Sequence, residues 1–166
     1  MNRIRHLLEV KGYDTWLIRP DAMVIDALRL MVERDVAALL VMEHGRLTGI
    51  VTEQDYARKV EILGRSAQTT RVSEIMTNAP VTLHPDQTVQ EAMEWMANKH
   101  IGHLPVMEGE DVIGLISAGD LLRDMVYQQK RAIQGLESRL AIESPRGRER
   151  KETSNAPYEP GMPLGE

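Results

Sequence analysis

The chain has 166 residues, is 42% hydrophobic and 27% charged, and carries a formal net charge of −5. It has enough apolar material for one compact domain or two small ones, but not the basic surface that general nucleic-acid binding requires. Cysteine is absent, which excludes disulfides, thiolate metal sites and thiol catalysis.

With no Phe, two Trp, four Tyr and ten Met, the core must be aliphatic. No apolar run approaches the roughly 20 residues of a membrane helix. No apolar stretch of signal-peptide length follows Met1–His6, so a cytoplasmic location is expected.

Taken in chain order, Trp16–Arg19 reads as a short extended piece, closed by Pro20, which disfavours helix just before it. Val24, Ala27, Leu28 and Met31 fall at helical spacing. Ala38–Met42 reads as a buried strand, Glu43–Arg46 as a turn and Leu47–Val51 as a second strand; Thr52 then opens a helix. Gly64–Thr70 is rich in Gly, Ser, Gln and Thr and reads as a linker. The order then recurs. An extended piece at Val81–His84 precedes a helix on Val89, Ala92, Met93 and Met96. Strands follow at Leu104–Met107 and Val112–Ile116 around a turn at Glu108–Asp111, with a helix from Ser117. Beyond Asp120, helical spacing persists through Leu121, Leu122, Met125, Ile133, Leu136 and Leu140, which predicts a long helix to about Glu143. That helix either caps the pair or meets a partner helix. From Ser144 onward, four Pro, three Gly and the mixed-charge run Arg146–Glu152 predict a disordered tail.

The recurrence is a duplication. A shift of 65 residues aligns Pro20–Arg58 with Pro85–Arg123 without a gap, and twelve of the 39 positions are identical. Chance gives roughly two or three. The fold class expected is α+β, two β-α-β-β-α repeats at 6–63 and 71–128, a helical extension at 129–143 and the tail at 144–166. Neither half buries much surface alone, so two copies packed sheet to sheet are expected to share one core.

Two heptads carry a family resemblance: Gly49-Ile50-Val51-Thr52-Glu53-Gln54-Asp55 and Gly114-Leu115-Ile116-Ser117-Ala118-Gly119-Asp120. Both resemble the signature of the cystathionine β-synthase-type (CBS) domain: Gly, two apolar residues, Thr or Ser, two variable residues, Asp. Val36–Val41 and Ile101–Val106 resemble that family's second strand. The resemblance covers roughly residues 6–128 and is strongest to short bacterial proteins consisting of one CBS pair. It implies a pseudo-twofold pair, called a Bateman module, with two clefts between the repeats. The ligands it implies contain adenosine (AMP, ADP, ATP, NAD(H) or S-adenosylmethionine), and it implies a homodimer of modules.

The residue chemistry is compatible with such a ligand. Thr52 and Ser117 sit where a strand becomes a helix, and helix-start N–H groups favour an anion. Asp55 and Asp120 can accept from both hydroxyls of a ribose. Arg58 and Arg123, one helical turn on, can neutralise a phosphate, and Lys59 adds charge in the first repeat alone. A second reading stays open: Thr-x-x-Asp at a helix start is also a capping box, and the arginines are also ordinary solvated side chains.

By the resemblance, Trp16, Val36, Ala37, Gly102, His103 and Ile116 line the cleft of Asp120. Thr77, Val81, Ala37, Ala38, Ile101 and Val51 line the cleft of Asp55. Trp16 is bulky where the family often has a small aliphatic residue; stacking on the base and blocking the cleft both stay open. His103 is a candidate phosphate contact. His100 and His103 lack a third ligand at metal spacing, so no metal is expected. The methionines are core filler, and Asp26, Glu91, Glu33 and Glu53 are solvated faces.

No Gly-x-Ser-x-Gly elbow or phosphate loop is present. The function expected is a non-catalytic regulatory module for AMP, ATP or NAD(H), signalling to an unidentified protein partner, with neither nucleic acid nor membrane as a target. The alternative is a structural CBS pair that acts by dimerisation without nucleotide.

Overall fold

Each repeat is built on a β-hairpin, and the two hairpins have the same register. In the computed structural model, which describes residues 2–143, β2 (Ala38–Glu43) pairs antiparallel with β3 (Arg46–Thr52) from Ala38↔Thr52 to Glu43↔Arg46. Sixty-five residues later, β5 (His103–Glu108) pairs with β6 (Asp111–Ser117) from His103↔Ser117 to Glu108↔Asp111. Even the register shift falls at the same place, between Val41 and Met42 and between Val106 and Met107. The expected tail, 144–166, lies outside the described residues.

The helices after the first follow the predicted spacing, and the first is an addition to it. The helices are α1 (Ile4–Lys11), α2 (Val24–Arg34), the short α3 (Glu53–Tyr56) with a π-turn continuing to Glu61, α4 (Val89–Lys99) and α5 (Ala118–Glu143). Strand β1 (Leu17–Ile18) lies parallel to β2, and β4 (Thr77–Asn78) antiparallel to β3, giving a four-stranded sheet β1-β2-β3-β4. The chain divides after Gln128 into two units. Both repeats belong to the first, and the second begins within α5. Considered by itself, the second unit's helix exposes Ile133, Leu136 and Leu140 at 55%, 59% and 66%. Among the described residues, no helix is long and apolar enough to cross a membrane.

The second repeat lacks the strand expected at Val81–His84. Only Leu83 bridges to Val106, in parallel. The cause is Pro105, which stands where the first repeat has Leu40. The Leu40 N–H donates to the Trp16 carbonyl at 3.0 Å. Proline has no N–H to offer, so the matching bond to Val81 cannot form.

The core also differs from the expectation of one shared interior. The described residues form two clusters, one per repeat. Leu39, Val41 and Val51 of the first hairpin pack with Val24, Ala27 and Met31 of α2, and with Val60, Val72 and Ile75. Leu104, Val106 and Ile116 of the second pack with Val89, Ala92 and Met96 of α4, and with Ile4, Leu7 and Leu8 of α1.

Each cluster is therefore completed by the segment that leads into the other repeat. Residues 2–5 hydrogen-bond to the start of α4: Ile4 N–H to Gln87 O at 2.9 Å, Arg5 N–H to Pro85 O at 2.8 Å, and Val89 N–H back to Asn2 O at 3.0 Å. The corresponding residues near 70 do the same at the start of α2, through Val24 N–H to Thr70 O at 2.9 Å and Val72 N–H to Ala22 O at 2.8 Å. The sequence boundaries at 63 and 71 divide the repeat as written, whereas the packing exchanges the leads.

The heptad glycines make this exchange sterically possible. A Cβ at Gly49 would stand 2.7 Å from Met76 Sδ and 2.9 Å from the Thr77 carbonyl; one at Gly114 would stand 2.6 Å from Leu8 Cδ2. Leu8 is fully buried. Leu8→Ala is expected to cost about 2–5 kcal/mol, and Gly114→Ala about 1–3 kcal/mol by overpacking. The double variant should lose less than the sum, because each change relieves the other. Urea denaturation of the three proteins checks this; simple additivity would mean that Gly114 does not make room for α1.

Candidate functional site

Two cavities lie between the repeats, each beside the start of the helix that follows a hairpin. The smaller, about 390 Å³, is lined by Lys11, Gly12, Asp14, Thr15, Trp16, Asp35, Val36, Ala37, Ala38, His103, Leu115, Ser117, Asp120 and Arg123. The larger, about 850 Å³, includes Ala37, Ile50, Thr52, Glu53, Asp55, Arg58, Lys59, Thr77, Val81, Lys99, His100, Ile101, Gly102 and His103 in its wall.

In both cavities the carboxylate caps its own helix. Thr52 donates to Asp55 Oδ2 from its N–H and its hydroxyl, both at 3.0 Å, and the Asp55 N–H returns a bond to Thr52 Oγ1 at 3.2 Å. Ser117 and Asp120 repeat this at 2.8, 2.8 and 3.2 Å. The capping box is thus present at both junctions.

Each carboxylate also holds a lysine. Lys59 Nζ lies 2.7 Å from Asp55 Oδ1 and donates to the Ile75 carbonyl at 2.6 Å. Lys11 Nζ lies 2.9 Å from Asp120 Oδ2 and donates to the Leu115 carbonyl at 2.7 Å. Sequence reading missed Lys11, treating Lys59 as charge without a counterpart. No local signal marks it, because α1 reaches Asp120 only through the exchange of leads. Arg123 adds a bond to Asp120 Oδ1 at 2.6 Å. A carboxylate offers about four lone-pair sites; Asp55 accepts three donors and keeps room for one more on Oδ1, whereas Asp120 already accepts four.

The predicted lining is partly redistributed. Trp16, Val36 and Ala37 line the Asp120 cavity, and Thr77, Val81, Ala37 and Ile101 line the Asp55 cavity. Ala38, assigned to the Asp55 cleft, lines the Asp120 cavity instead. Gly102, assigned to the Asp120 cleft, lines the other, and His103 faces both. Val51 and Ile116 are corrected outright: they are 1% and 0% exposed, inside the two cores. Their neighbours Ile50 and Leu115 line the cavities. Successive strand side chains point to opposite faces, and an apolar run such as Gly-Ile-Val or Gly-Leu-Ile does not show which parity faces the cleft. Trp16 packs against the first core, with the Arg34 guanidinium 4.3 Å from its ring centroid, and forms part of the cavity wall. Arg58 lines the Asp55 cavity with no hydrogen bond or ion pair from its side chain among the described residues.

Electrostatics distinguishes the groups. Burial acts to raise the Asp120 pKa, but the Lys11 ammonium and the Ser117 N–H and hydroxyl outweigh it and hold the acid at about 2. Burial lowers the pKa of His103; Lys11 acts in the same direction, against the pull of Asp120 and Glu53. At neutral pH its imidazole is therefore uncharged, one nitrogen donating and the other accepting.

A depressed carboxyl pKa stabilises the fold above the unfolded value of 3.8 and loses that contribution as pH falls toward about 2. With a side chain 9% exposed, Asp120 is expected to contribute about 2 kcal/mol at neutral pH. Asp120→Asn should therefore be less stable than the parent at pH 7, and the gap should close by pH 2. Denaturant titrations at pH 7, 4 and 2 check this, and a gap independent of pH would contradict it.

Comparison with known proteins agrees with this architecture. The family model described as CBS domain matches residues 14–62 and 72–127. A mitochondrial CBS domain-containing protein of Arabidopsis thaliana, CBSX3, is 38% identical over 128 residues, covering 74% of this chain; the chain spans 62% of that relative's length. The structure of a putative signal-transduction protein with CBS domains from Burkholderia ambifaria MC40-6 is 40% identical, with TM-score 0.75, covering 77% of this chain and 96% of that one. The CBS domain pair of protein MJ0100, solved with 5′-methylthioadenosine and S-adenosyl-L-methionine, shares the fold at TM-score 0.66 and 22% identity, covering 77% and 98%.

Proposed function

The chain belongs to the CBS-domain family, and on that premise we propose that it is a non-catalytic regulatory module that binds adenosine-containing nucleotides between its repeats. The observation that carries this reading is the pair of inter-repeat cavities, each with a helix-capping carboxylate, a hydroxyl and cationic side chains at one wall. The remaining lone pair on Asp55 Oδ1 accepts a ribose hydroxyl, and a second hydroxyl competes with Lys59; at Asp120 the hydroxyls compete with Lys11 and Arg123. Ala37, shared by both walls, leaves space for a flat base. The solved relative bound to two adenosine derivatives supports the same ligand class.

A ligand that contacts both repeats changes their relative arrangement only by binding one arrangement more tightly than another. The output passes to a second copy or to a partner protein. Ile133, Leu136 and Leu140, exposed three and four residues apart, support a helical contact of that kind. The cytoplasm is the compartment proposed.

One observation favours the rival reading of a nucleotide-free structural pair: both carboxylates are already satisfied by their caps and lysines. Thermal melts with AMP, ATP, NADH and S-adenosylmethionine at millimolar concentration separate the two. A ligand at 100 times its Kd adds about 2.7 kcal/mol to the native state. Asp55→Ala and Asp120→Ala should each remove binding at one cleft. If both variants lose only about 1 kcal/mol of stability, as a lost cap does, and bind as before, the carboxylates have no ribose role.

A further inference from the structure

The two cavities come from one duplicated sequence, yet their charge is opposite. In the Asp120 cavity the basic side chains are Lys11 and Arg123, and both are bound to Asp120. Asp14 and Asp35 also line it, exposed and with no cation partner among the described residues, so the formal count is two positive against three negative. In the Asp55 cavity Lys59 alone is bound to the acid. Arg58 and Lys99 are exposed and paired with no carboxylate among the described residues, Lys99 lying 5.6 Å from the Trp95 ring. Against Glu53 and Asp55 the count is three positive to two negative, with His100 beside them. The cavity whose cations are not held by an acid also has more than twice the volume, about 850 against 390 Å³.

From this asymmetry we infer that the clefts divide adenosine ligands by the charge of the 5′ substituent. The Asp55 cleft takes a nucleotide with two or more phosphates. The Asp120 cleft takes an adenosine derivative whose 5′ group is neutral or cationic, a thioether or a sulfonium. The inference rests on the adenosine reading above and assigns each cleft its ligand class.

The reasoning is electrostatic and steric. A polyphosphate carries several negative charges and gains from basic groups not already held by an acid; Arg58 and Lys99 meet that condition and Lys11 and Arg123 do not. Near Asp14 and Asp35 the same phosphates meet repulsion, while a sulfonium or ammonium is attracted. The extra volume of the Asp55 cavity accommodates the phosphate chain. His103, neutral and in both walls, contributes a hydrogen bond to either ligand without favouring a sign.

Calorimetric titration of the full chain with ATP and with S-adenosylmethionine, singly and in competition, tests the division. Each ligand is expected to bind once per chain, and the two together. Arg58→Glu combined with Lys99→Glu should weaken ATP about tenfold or more and leave S-adenosylmethionine unchanged; both side chains are exposed, so the melt in the absence of ligand reports whether the variant folds. Rising salt should weaken ATP alone. Asp14→Lys should weaken S-adenosylmethionine and leave ATP at its original cleft. Mutual exclusion of the two ligands, or equal weakening of both by the double reversal, overturns the division while leaving the adenosine reading intact. Absence of binding by either ligand overturns both.

Discussion

The structure depends on a reciprocal exchange: the segment leading into each repeat completes the core of the other. Ile4, Leu7 and Leu8 are buried among residues of the second repeat, and Val72 and Ile75 among residues of the first. Backbone hydrogen bonds at the starts of α4 and α2 fix both segments in place. Halves of this size have too little interior to be stable alone. Because each borrows part of its interior, separating the repeats would open both cores at once. The duplicated sequence therefore folds as one unit up to Gln128, although it has two apolar clusters. Gly49 and Gly114 are the steric counterpart of the exchange, since the incoming side chains occupy the space a Cβ would take.

The chemistry of the clefts follows from the same exchange. Both acids occupy the same local position, three residues after a hydroxyl at a strand-to-helix junction, and both make the same cap. What differs is the origin of the lysine that reaches them. Lys59 comes from the π-turn that continues α3, four residues after Asp55. Lys11 comes from α1, across 109 residues of chain. Its ammonium, the Ser117 donors and the nearby Arg123 guanidinium surround Asp120, which is held at about 2. Two sites with one sequence ancestry thus acquire different electrostatics from their surroundings.

Much of this was legible in the order of residues. The duplication, the hairpins with their flanking helices and the extent of α5 follow from spacing, because helix and strand periods are local properties of the chain. The capping boxes were equally visible, since Thr-x-x-Asp and Ser-x-x-Asp satisfy their own backbone wherever a helix begins there. The loss of a strand before α4 could also have been read from Pro105, whose missing N–H removes a ladder bond irrespective of packing.

What sequence alone determined is therefore each repeat's local architecture and the placement of a carboxylate at the head of each following helix. Tertiary structure alone decided which lead completes which core, that Lys11 is bound to Asp120, that Ile50 and Leu115 rather than Val51 and Ile116 face the clefts, and that Ala38 and Gly102 change places. The physical reason is range. Caps, turns and helical periods are fixed within a few residues, whereas these outcomes depend on contacts between distant segments, and a continuous apolar run carries no mark of which of its two faces such a contact will cover.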